Sequence, residues 1–139
     1  KMFLVYIKRV KFIQIILKEV LLIFLGGGLG SSFRWVINKL VPSDSFPYST
    51  ISVNLIGCLL IGIIAGYLLT NNTSKSEVYP LLVIGFCGGL TTFSAFALEN
   101  YNLIKSNDFF NSILYITLSV VGCIIMVYTG FYIIQRILN

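Results

Sequence analysis

Apolar residues along this 139-residue chain fall into four blocks, at roughly 20–37, 49–69, 78–97 and 111–138. The connections between them, 38–48, 70–77 and 98–110, are short and polar. Each block approaches the ~20 residues that a helix needs to cross the hydrocarbon core of a bilayer. The pattern predicts an all-α membrane protein with four transmembrane helices. In the third block, Gly88-Gly89-Leu90-Thr91-Thr92 sets two glycines and two β-branched threonines inside the apolar run. A bilayer tolerates a weakened helix only where the freed backbone groups meet protein, water or an ion. The third helix is therefore expected to be broken, and the break to be functional.

Composition narrows the class. The chain is 57% apolar and 11% charged, with a mean hydropathy of +0.92. A soluble domain would need far more charged surface. Four spans in one compact unit leave no room for a soluble catalytic domain, so no enzyme and no nucleic-acid partner is expected. Cys58, Cys87 and Cys123 lie in three different spans, with no CxxC pair and no histidine. They read as small apolar side chains rather than as a metal or redox site.

Charge bears on orientation. An even number of spans puts both termini and the 70–77 connection on one side. Lys75 and Arg136 flank the spans there, against Lys39 and Lys105 on the other side, where Arg34 near the end of the first span adds to the count. Such a core has almost no orientation preference under the positive-inside rule. A sequence inserting both ways can build an antiparallel, dual-topology homodimer. Residues 1–19 upset this balance, because Lys1, Lys8, Arg9, Lys11 and Lys18 all sit on one side. Two readings stand: translation starts at Leu17 from an alternative codon, or the segment is an amphipathic interfacial helix attracted to anionic lipid. No small-residue cleavage site marks it as a signal peptide. The chain thus divides into 1–19 and a channel-sized unit, 20–139.

Candidate chemistry clusters in the spans. Gly26-Gly27-Gly28-Leu29-Gly30 has no strand before it, so it is no dinucleotide fingerprint. Gly26 with Gly30, and Gly62 with Gly66, allow close helix approach. Asn54 puts an amide among aliphatics, where it must face protein or a watery path. Phe93 and Phe96 share a helical face, and the positive edges of their rings could hold a dehydrated anion without a fixed charge. The carbonyls freed near Gly88–Thr92 suit a hard cation such as Na⁺. Tyr115, Ser119 and Cys123 recur every four residues and align a phenol, a hydroxyl and a thiol. Each of these has a plainer reading as packing or as an interhelical hydrogen bond. Arg34 and Glu99 serve as entrance charges, structural charges or partners of one another.

Residues 85–96, Gly-Phe-Cys-Gly-Gly-Leu-Thr-Thr-Phe-Ser-Ala-Phe, followed by Glu99, resemble the signature of the Fluc fluoride channels, also called CrcB proteins. Val53-Asn54-Leu55-Ile56-Gly57 and the glycine run at 26–30 with Arg34 resemble that family's other motifs, in the right order. The resemblance covers about residues 18–135. It implies passive fluoride export through a bacterial inner-membrane channel, working as an antiparallel dual-topology dimer with two pores. On the matching positions it implies a fluoride path lined by Asn54, Phe93, Ser94, Phe96, Tyr115 and Ser119. It also implies a structural Na⁺ held by backbone carbonyls of Gly88 and Thr91 from both subunits, with Glu99 near the pore mouth. Whether the partner is a second copy or a paralogue stays open. Ala95, where a threonine is usual, Cys123, where a serine is usual, and the long basic N-terminus depart from the family pattern. The rival readings are a small proton-coupled multidrug exporter, which needs an acid deep in the first span, and a non-transporting membrane assembly protein.

Overall fold

The computed structural model describes residues 2–43, 45–71 and 77–138; Lys1 and Lys75, counted in the charge balance, lie outside them. The described residues are helical, with no strand. In order they form α1 (Met2–Leu40), α2 (Tyr48–Thr70), a π-helical segment (Tyr79–Cys87), α3 (Gly88–Leu90), α4 (Phe93–Lys105) and α5 (Phe109–Leu138). Four stretches are long and apolar enough to cross a membrane: Tyr6–Leu40, Tyr48–Thr70, Tyr79–Lys105 and Phe109–Leu138.

No proline or glycine occurs before Gly26, and the Lys-, Ile- and Leu-rich start favours helix. The N-terminal segment and the first span accordingly form one 39-residue helix with no break at residue 19. The start of α2 is held from the preceding loop, where Ser43 Oγ accepts the Ser49 N–H at 3.0 Å. Pro80 sits in the first turn of the π segment, where a missing N–H costs no helical bond. Helical turns end at Leu90; Thr91 (ψ 155°) and Thr92 (φ −149°, ψ 120°) are extended, and helix resumes at Phe93.

One boundary differs from the hydropathy pattern. The connection expected over 98–110 is helical as far as Lys105, leaving only Ser106-Asn107-Asp108 as the turn. The polar residues in it are used: Asn100 Nδ2 donates to the Phe96 carbonyl, and Ser112 Oγ donates to Asn100 Oδ1. Asn107, at φ 60°, ends the helix in the left-handed region that asparagine tolerates.

Glycines set the packing. A methyl group on Gly62 would meet Val127, one on Gly66 would meet Ile134 and Phe131, and one on Gly130 would meet Leu59 and Ile63. Partner numbers rise together, so α2 and α5 run parallel with their backbones nearly touching. Gly26 lies against Leu81 and Phe86, and Gly30 against Phe86 and Leu90, which joins α1 to the third span in the same parallel sense. The buried core is thin, with Val53, Leu68, Cys87, Leu90 and Tyr115 at its centre. Most large apolar side chains point outward, as suits a lipid environment.

Candidate functional site

The extended pair Thr91-Thr92 is held open by side chains from two other helices. Asn54 on α2 is only 9% exposed. Its Oδ1 accepts the Thr92 N–H at 2.8 Å, and its Nδ2 donates to the Thr92 carbonyl at 3.2 Å. The amide thus takes the place of a neighbouring backbone and satisfies both main-chain groups of Thr92. Thr92 Oγ1 accepts the Ala95 N–H at 3.2 Å and so caps the start of α4. From α1, Arg34 Nη1 donates to the Thr91 carbonyl at 3.1 Å. The Thr91 methyl fills the space that Gly57 leaves on α2.

Because the Thr92 N–H turns to Asn54, it closes no helical bond back to the Gly88 carbonyl. Gly88 is exposed, and a methyl group there would meet only the Val83 carbonyl, at an ordinary 3.9 Å. Carbonyl oxygens are the right donors for a hard cation. The Thr91 oxygen retains a second lone pair beside its bond to Arg34. In kind, then, Gly88 and Thr91 fit an alkali cation, although one chain supplies too few oxygens to surround it.

Beside the break lies a cleft of about 280 Å³, lined by Asn54, Cys58, Ile61, Thr91, Thr92, Phe93, Phe96, Ser119, Val120 and Cys123. Phe93 is 78% exposed and its ring centroid lies 5.4 Å from that of Phe96. Ser119 on α5 is 5% exposed, and its buried Oγ has no hydrogen-bond partner. It is an unspent donor on the wall of the cleft.

Two expected path residues sit elsewhere. Tyr115 is fully buried outside the lining, and its hydroxyl donates to Glu99 Oε2 at 2.6 Å. Its ring stacks edge-on against Phe96, with centroids 5.0 Å apart. Ser94 is exposed, outside the lining, with its Oγ 3.2 Å from Thr92 Oγ1. Glu99 Oε1 also accepts from Thr50 Oγ1 at 2.8 Å. Both carboxylate oxygens are therefore occupied, and Arg34 and Glu99 each hold other partners instead of pairing. Glu99 borders a second cavity of about 470 Å³, with Ser43, Asn102 and Asp108 on its walls. A string of contacts, Phe93 to Phe96 to Tyr115 to Glu99, connects the two spaces. Thr50 goes unmarked in the sequence, Cys58 reads there only as a small apolar side chain, and Thr92 only as part of the expected break. Only Thr92 carried a readable signal there, as a threonine preceding a fresh helical run.

The chain has relatives of known kind. Residues 21–131 match the model of the family described as CrcB-like protein, Camphor Resistance (CrcB). A protein of Flavobacterium psychrophilum named fluoride-specific ion channel FluC is 44% identical over 125 residues, covering 87% of this chain and all of that protein. Proteins of the same name from Azobacteroides pseudotrichonymphae and Methanococcus aeolicus are 40% and 39% identical. Those two alignments cover 77% and 82% of this chain, and 89% and 93% of the relatives. With a family match over residues 21–131 and relatives about 40% identical across most of both chains, this chain belongs to the CrcB family.

Proposed function

We propose that this chain is a fluoride-specific channel that lets fluoride leave the cytoplasm passively across the plasma (bacterial inner) membrane. The observation that carries the reading is the cleft wall: two phenylalanine rings, a buried amide and an unpartnered hydroxyl, with no charged side chain among them. A small, strongly hydrated anion needs donors to replace its water. Phe93 and Phe96 offer the positive edges of their rings. Asn54 has a second N–H beyond the one bound to Thr92, and Ser119 has its O–H. Without a fixed cation the anion is held weakly enough to leave again, as conduction requires. Tyr115 contributes through its ring, which steadies Phe96, while Ser94 lies at the edge of the path. Arg34 and Glu99 act as structural charges that brace the break and the mouth. The absence of a carboxylate from the cleft lining disfavours proton-coupled export.

The working unit in this reading is an antiparallel, dual-topology homodimer in lipid, with the broken third spans crossing at its centre. A second copy would cover the exposed Phe93. It would also bring another Gly88 and Thr91 to complete a structural Na⁺ site, the ion holding the two breaks together. Fluoride-loaded liposomes test the function. Fluoride should leave, chloride should stay, and a proton ionophore supplied with a potassium shunt should not alter the fluoride rate. Liposomes that retain fluoride would overturn the reading.

A further inference from the structure

Two of the three cysteines meet in the cleft. Cys58 on α2 and Cys123 on α5 both line it, and both are half-buried. The parallel register of the two helices, with Leu55 against Gly122 and Gly62 against Val127, brings them to one level. Cys58 and Cys123 therefore border the same space from neighbouring helices. Cys87 is fully buried and stands outside the lining. Among the described residues no three His, Cys, Asp or Glu side chains gather to hold a metal. A four-coordinate zinc site is therefore not available.

We propose that Cys58 and Cys123 form a two-coordinate site for a soft divalent cation, of which Hg(II) is the type. Thiolates are soft ligands and select soft ions over the hard ones that suit carbonyls. On binding HgCl₂, two S–H and two Hg–Cl bonds break, two S–Hg bonds form, and two protons and two chloride ions pass to water; no electron is transferred. The charges also choose the ion. A divalent cation with two thiolates is neutral, whereas Ag(I) or Cu(I) would leave one negative charge in apolar surroundings, where an unpaired charge is costly. The unpartnered Ser119 hydroxyl, one turn from Cys123, adds a neutral oxygen on the same wall.

The test uses the full chain in detergent with one equivalent of HgCl₂, then a monothiol wash, native mass measurement and N-ethylmaleimide mapping. One mercury per chain should survive the wash, with Cys58 and Cys123 both protected from alkylation. A dithiol chelator should release the metal and restore both thiols. Cys58→Ser and Cys123→Ser should each lose the retained mercury, and Cys87→Ser should keep it. Cys58→Ala and Cys123→Ala should repeat the loss without adding a hydroxyl. Protection of a single cysteine in the unmutated chain, or mercury retained by the Cys58 and Cys123 variants, would overturn the site.

Discussion

Asn54 uses one amide in two ways: it clasps the backbone of Thr92 and it lines the cleft with one N–H not spent on that clasp. Replacing it with alanine orphans a buried N–H and a buried C=O at once. Asn54→Ala should lower stability by about 1–3 kcal/mol, read as an earlier thermal unfolding in detergent, with fluoride efflux lost in liposomes. The ring pair gives a cleaner test of conduction. Phe93→Ile or Phe96→Ile keeps apolar bulk but removes the ring edge, and should slow fluoride efflux about tenfold or more, the scale of one aromatic contact. The oligomer should stay intact by size-exclusion chromatography. Wild-type rates in either variant would refute ring-edge coordination. The sequence made Asn54 and the phenylalanines legible because an amide and paired rings are costly or unusual among aliphatics. It could not reveal that Tyr115 spends its hydroxyl on Glu99, since that depends on how α4 docks against α5. Nor could it show Cys58 facing Cys123, which follows from the register of two helices far apart in sequence.

At the scale of elements, glycine decides which helices touch. On Gly26 a methyl would run into the Leu81 carbonyl, on Gly130 into that of Leu59, whereas Gly28 has open space. Gly26→Ala and Gly130→Ala should each cost about 1–3 kcal/mol through overpacking, seen as reduced yield of folded protein and a lower unfolding temperature. Gly28→Ala should be neutral or slightly stabilising, because alanine favours helix. A Gly26→Ala protein as stable as Gly28→Ala would contradict the close α1 contact. The four apolar blocks were readable because length and hydropathy alone specify a span. The helical stretch 98–105 was not. Its Glu, Asn and Lys residues look like a loop, but Glu99 and Asn100 find side-chain partners and no breaker precedes Asn107.

For the whole molecule the apolar surface faces outward, and stability depends on the membrane and on the proposed second copy more than on an internal core. The ion pair of Lys18 with Glu77 joins α1 to the start of the third span on an exposed surface. Exposed pairs contribute little, so Glu77→Gln should shift stability by less than about 1 kcal/mol. At the usual rise per residue α1 is about 58 Å long, nearly twice a ~30 Å hydrocarbon core. A helix this long outruns the hydrocarbon core, and the cost of charge inside that core puts Lys8, Arg9 and Lys11 outside it on the side of the N-terminus. Those residues form a built-in protease site that reports which way each chain faces. Trypsin added outside sealed vesicles should cut at these three residues in about half of the chains if both orientations insert equally, the other half being open only at sites of the opposite side such as Lys39 and Lys105. Cutting at Lys8, Arg9 and Lys11 in every chain, or in none, would mean that every molecule points the same way.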